Sequence, residues 1–136
     1  MVDSTDDELV GAARQVRVHA WAPFSKFAVG AALRLRDGRI VTGCNVENAT
    51  YGLTICAERV AVFKAISEGV RPDAFAALAV VADTDEPTPP CGACRQILWE
   101  FCGDIPILLA TPAEVTLVLG LRELLPRPFD GRFLSR

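Results

Sequence analysis

AFAALAVVADTDEPTPPCGACRQILWEFCGDIPILLA, residues 74–110, decides the fold class. Ala74 to Ala82 is an unbroken apolar run, short enough for a strand and apolar enough to be buried on both faces. Asp83 to Pro90 is a rigid, proline-rich loop. Residues 92–101 place Cys94, Ile97, Leu98 and Phe101 on one helical face, with Gly103 beyond the end as a stop. Ile105 to Ala110 returns to a strand. A strand, a helix and a strand in this order make a parallel pair with a right-handed crossover.

The flanks complete the sheet. Thr5-Asp6-Asp7-Glu8 fits a capping box opening a helix over about 5–20, with Leu9, Val10, Ala13 and Val16 on one side and Ala22-Pro23 as its stop. Lys26 to Arg36 alternates, with Phe27, Val29, Ala31, Leu33 and Leu35 on one face and Lys26, Arg34 and Arg36 on the other. Asp37-Gly38 is a hairpin turn, and Arg39 to Val46 is the returning strand. TICAERVAVFKAISEG, residues 54–69, is an amphipathic helix with Val60, Ala61, Phe63, Ala65 and Ile66 on its apolar face. Val115 to Leu119 adds a strand, and Leu121 to Leu125 a helical turn. The expectation is an α/β fold: one three-layer α-β-α domain over 1–136, with a mixed sheet of about five strands.

Composition narrows the function. The chain has 136 residues, 51% hydrophobic and 23% charged, with a net charge of −3. That is one soluble domain with a real core. An acidic chain is a poor polyanion binder, so no nucleic-acid partner is expected. No apolar run approaches the roughly 20 residues of a membrane span. The N-terminus MVDSTDDELV lacks a signal-peptide core, so a cytoplasmic location and no membrane partner are expected. The five cysteines, Cys44, Cys56, Cys91, Cys94 and Cys102, are an odd number for a disulfide framework.

Cys91 and Cys94 open the 92–101 helix at chelate spacing. By itself CxxC reads as a zinc pair, a redox dithiol or an accident. Cys56 opens the other helix, and both helices follow strands of one sheet, so their starts can meet at one edge. Three thiolates with an open position describe a catalytic zinc site. Cys44, Cys102 and His19 read as packing residues. Three thiolates on Zn²⁺ leave a charge of −1, which two helix N-termini and Arg59 can offset; Arg95 reads either as a further compensating charge or as solvated surface. Glu58, two residues after Cys56, can reach a water on the metal without ligating it. On spacing alone it reads equally as a solvent-facing first-turn glutamate.

C-x-E followed by P-C-x-x-C is the signature of zinc nucleoside and nucleobase deaminases. Together with SKFAVGAAL (25–33), GCNVENATYGLTICAERVA (43–61), PCGACRQ (90–96) and LLPRPF (124–129), it makes the chain resemble the small, homotetrameric cytidine deaminases over nearly its whole length. The resemblance implies hydrolysis of cytidine or 2′-deoxycytidine to uridine or 2′-deoxyuridine and ammonia, in pyrimidine salvage. It implies one zinc per subunit on Cys56, Cys91 and Cys94. Glu58 is implied to deprotonate the water, protonate N3 and pass a proton to the leaving amine. Asn45 and Glu47 correspond to a pair contacting the ribose 3′-hydroxyl, Phe27 lies against the nucleoside, and the Ala57 backbone meets the base. Tyr51 and Phe129 resemble residues that complete a neighbouring subunit's pocket. The chain departs from the family at Trp21 and Phe24, where tyrosines are common, and at Arg127-Pro128, where a small pair is usual. Two other readings remain at this stage: a deaminase of another cytosine nucleoside such as blasticidin S, and a non-catalytic zinc or redox CxxC module, which leaves Glu58 and Asn45-x-Glu47 without a role.

Overall fold

The computed structural model describes residues 4–113 and 116–134. Helix α1 (Ser4–Arg17) is followed by β1 (Val29–Leu35), β2 (Ile40–Cys44), α2 (Ala57–Ser67), β3 (Phe75–Ala82), α3 (Gly92–Cys102), β4 (Pro106–Ala110), β5 (Thr116–Gly120) and α4 (Leu121–Leu124). The strands form one sheet in the order β2-β1-β3-β4-β5. Only β3 and β4 run parallel, as the strand–helix–strand reading of 74–110 requires; the other neighbours are antiparallel.

Side-chain alternation along the strands divides the core. Ala31, Leu33, Leu78, Val80, Ile107 and Leu109 pack on the side of α2 and α3. Ala32, Ala77, Ala79, Val81, Leu108 and Ala110 pack against Leu9, Val10 and Ala13 of α1. Two glycines set how closely the helices sit. A Cβ on Gly30 would lie 2.0 Å from the Ala13 carbonyl oxygen of α1. One on Gly43 would lie 2.5 Å from the Ala61 nitrogen and 2.7 Å from the Ala57 oxygen of α2. Backbone therefore rests directly on backbone at both places, and the start of α2 is located by β2.

Several boundaries differ from the sequence expectation. Helix α1 begins at Ser4, so Thr5 lies inside it and is not its cap, and it ends at Arg17. It stops early because Trp21 is drawn into an extended bridge with Val46, and the Arg17 Nε donates to the Ala28 carbonyl at 3.0 Å. Strand β1 starts at Val29 rather than Lys26, because Lys26 has a φ of 61°, which no strand accommodates. β2 ends at Cys44, though Val46 continues as an isolated antiparallel bridge to Ile55. The expected strand start at Val115 lies outside the described residues.

Candidate active site

Cys56 is the N-cap of α2 and Cys91 the N-cap of α3, both with extended backbone, and Cys94 lies in the first turn of α3. The Val46–Ile55 bridge carries Cys56 to the sheet edge beside Asn45. The 83–90 loop is drawn together by Thr84, whose hydroxyl meets that of Thr88 at 2.8 Å, and it ends at the buried Pro90. Arg95 fixes that end: its Nε donates to the Pro90 carbonyl at 2.7 Å and its Nη1 to the Leu124 carbonyl at 2.9 Å. It is thus not a solvated surface arginine but a half-buried clamp on the approach to Cys91.

The three sulfurs lie within 4.8 Å of one another, and among the described residues no other His, Cys, Asp or Glu joins them. Sulfurs around a tetrahedral zinc, with bonds of about 2.3 Å, stand about 3.8 Å apart. The donor set is therefore close to ligating separation, and its softness suits zinc over hard cations. The electrostatics fit as well. Cys91 Sγ accepts from the Cys94 backbone N–H at 3.4 Å. Arg59 Nη2 donates to Cys56 Sγ at 3.2 Å, while its buried Nε has no partner. The Cys56 thiol is pulled down to about 5, first by hydrogen bonding from the Cys94 thiol and then by Arg59. Cys94 moves the opposite way, through that same hydrogen bond and its burial. Cys44 and Cys102 stand apart, each half-buried, and burial pushes the Cys102 thiol up to about 12. His19, read as packing, is instead exposed, two residues past the end of α1, where no other described element covers it.

Above the thiols is a cavity of about 350 Å³. Its walls include Phe27, Asn45, Glu47, Ala57, Glu58, Cys56 and Cys91. Glu58 is not the solvent-facing glutamate its position also allowed. It is only 5% exposed, and burial, reinforced by the nearby Cys56 charge, raises its carboxyl to about 7. Asn45 is also buried; its Oδ1 accepts from the Val29 N–H at 2.9 Å and its Nδ2 donates to the Phe27 carbonyl at 2.7 Å. Phe27 precedes β1 instead of lying within it, and presents a partly exposed ring to the cavity.

Tyr51 lines an adjoining cleft with Phe24, their rings 6.0 Å apart and edge-on. Phe129 lines neither: it is 56% exposed, stacks on Phe133 and is tethered through its carbonyl to Gln96 Nε2. Two arginines of the C-terminal tail are exposed but engaged, Arg122 over the Trp99 ring at 4.6 Å and Arg132 paired with Asp130 at 2.8 Å. Arg136 lies outside the described residues. Sequence reasoning missed Ser25, which lies in both cavity walls and bonds Glu47. Its signal was the Ser-Lys-Phe turn at the head of SKFAVGAAL, hidden by an alternation that ran through it.

Residues 3–108 match the family profile described as the cytidine and deoxycytidylate deaminase zinc-binding region. A cytidine deaminase of Sporosarcina psychrophila is 48% identical over 130 residues, covering 95% of this chain and 94% of its own. One of Halalkalibacterium halodurans is 50% identical over 128 residues, covering 93% and 96%. The crystal structure of cytidine deaminase from Burkholderia pseudomallei superposes with a TM-score of 0.88 at 47% identity, over 90% of this chain and 98% of that one. With two helix starts presenting three thiols and a buried glutamate at one sheet edge, and with these matches along most of its length, the chain belongs to the zinc-binding cytidine and deoxycytidylate deaminase family.

Proposed function

We propose that the protein hydrolyses cytidine and 2′-deoxycytidine to uridine and 2′-deoxyuridine, releasing ammonia. The observation that carries this reading is Glu58: a buried carboxyl raised to about 7, at the floor of a nucleoside-sized cavity beside three convergent thiols. Zinc held by Cys56, Cys91 and Cys94 supplies the Lewis acidity that turns water into a nucleophile at neutral pH. Glu58 accepts the proton that water gives up and delivers one to ring N3 as C4 becomes tetrahedral. It then takes the proton of the new C4 hydroxyl and passes it to the exocyclic nitrogen, so that the C4 carbonyl forms as the C4–N bond breaks and ammonia leaves. Arg59 offsets the thiolate charge. Asn45 and Glu47 at the cavity wall receive the sugar 3′-hydroxyl, Phe27 covers the nucleoside, and the first-turn N–H groups around Ala57, unpaired in any helix start, face the base.

The protein acts as one catalytic domain, in a cytoplasmic salvage setting, without nucleic-acid or membrane partners. A homotetramer is proposed because Phe24, Tyr51 and Phe129 are exposed aromatics beyond the chain's own nucleoside cavity, suited to closing a neighbour's. No described helix is long and apolar enough to cross a membrane.

The test is ammonia release from cytidine by zinc-loaded wild type and by Glu58→Ala. The variant should retain stoichiometric zinc and lose roughly 10²–10⁴ in kcat, the usual worth of a positioned acid/base. Normal turnover by the variant would refute the role of Glu58. Absence of turnover in the zinc-loaded wild type would refute the substrate.

A further inference from the structure

A feature of the cavity wall goes beyond the family's ligand set. Glu47 is held by the 22–27 turn. Its Oε1 accepts from the Phe24 N–H at 2.9 Å and the Ser25 N–H at 3.1 Å, and its Oε2 accepts from the Ser25 hydroxyl. The Ser25 oxygen in turn accepts from the Phe27 N–H at 3.0 Å. The turn is closed by the Lys26 N–H on the Ala22 carbonyl at 3.0 Å, with Lys26 in the left-handed region that non-glycine residues rarely occupy.

A carboxylate offers about four lone-pair positions, two on each oxygen. Backbone donors fill both on Oε1, so an arriving sugar hydroxyl must use Oε2, the oxygen Ser25 already holds. A serine that merely shaped the turn would accept from Phe27 and leave its hydrogen to water. Here that hydrogen is directed at Glu47. We infer that Ser25 is a positioning residue: it aims Glu47 Oε2 into the cavity and ties the sugar-reading carboxylate to the Phe27 wall, so that preference for nucleosides bearing a 3′-hydroxyl depends on a hydroxyl at position 25. This rests on the deaminase reading and deepens it.

The test uses zinc-loaded full-length wild type, Ser25→Ala, Ser25→Thr, Glu47→Gln and the Ser25→Ala/Glu47→Gln double variant. Each is assayed on cytidine, 2′-deoxycytidine and 2′,3′-dideoxycytidine, which lacks the 3′-hydroxyl. Losing one charge-assisted hydrogen bond should lower kcat/KM of Ser25→Ala roughly tenfold on the first two, mainly through KM. The dideoxy substrate should change less than about twofold, since neither arm of the comparison then uses the bond. Ser25→Thr should recover most of the loss, and Ser25→Ala should add nothing in the Glu47→Gln background. Equal losses on all three substrates, no loss on any, or full additivity with Glu47→Gln would overturn the inference. A wild type inactive on cytidine would instead overturn the deaminase reading beneath it.

Discussion

Replacing Gly43 by alanine should dismantle the metal site from outside it. An ideal Cβ there stands 2.5 Å from the Ala61 nitrogen and 2.7 Å from the Ala57 oxygen, where ordinary contact begins at 3.4 Å. Both atoms are helix backbone and cannot rotate away, so α2 must retreat by about 0.9 Å in a core packed without slack. Cys56 is the residue just before Ala57 and moves with it. Metal–ligand distances tolerate deviations of only about 0.2 Å, so the displacement exceeds what a Zn–S bond can follow. Overpacking of this kind costs about 1–3 kcal/mol, which for a chain of this length lowers Tm by roughly 3–12 °C. Thermal melts and metal analysis on freshly purified protein read both effects. Gly30→Ala is the control: its clash with the Ala13 oxygen is harder, at 2.0 Å, but falls on α1, which carries no site residue. It should destabilise the protein and leave zinc stoichiometric. A Gly43→Ala protein with full zinc and an unchanged Tm would refute the reasoning, as would equal zinc loss from Gly30→Ala.

Two further outcomes are expected. Cys94→Ser removes a fully buried member of the sulfur cluster, so purified protein should carry little zinc, and added chelator should no longer change its Tm, whereas chelation should lower that of the wild type. The tail should titrate in acid. The Asp130 carboxyl is held down to about 2 from 3.8, first by the Trp99 indole N–H at 3.0 Å and then by Arg132. A depressed carboxyl stabilises its contact fully above 3.8 and loses that contribution as pH falls through about 2. The Trp99 indole resonance should shift in that window, and in Asp130→Asn it should not.

What could be read from the chain, and what could not, divides by range of interaction. The apolar run of β3, the chelate spacing of Cys91 and Cys94, and the Cys56-x-Glu58 pair each lie within one element, where residue order fixes direction. That Cys56 meets Cys91 followed from two helices leaving one sheet. The burial of Glu58 did not, since a first-turn glutamate faces water or protein according to what packs over it. The 22–27 turn was hidden for a related reason. Alternation from Phe27 through Leu35 reads as one strand, while the carboxylate that bends the chain lies twenty-two positions on from Ser25. Arg95 and Asp130 behaved likewise: their partners, Leu124 and Trp99, are twenty-nine and thirty-one positions away.

The geometry also separates a metal centre from a redox dithiol, which CxxC alone could not. A redox pair works through an exposed, acidified first cysteine at a helix start and a partner that resolves it. Here a third thiol, Cys56, lies outside the CxxC motif yet within 4.8 Å of both its sulfurs, and Arg59 donates to it. Cys94, which would have to act as the resolving thiol, is fully buried. A disulfide between Cys91 and Cys94 would leave Cys56 facing Arg59 as an isolated charge and Glu58 with no proton to move. Three thiols around one point, one cation beside them and one buried acid each find a use when the group they surround is a zinc ion activating water.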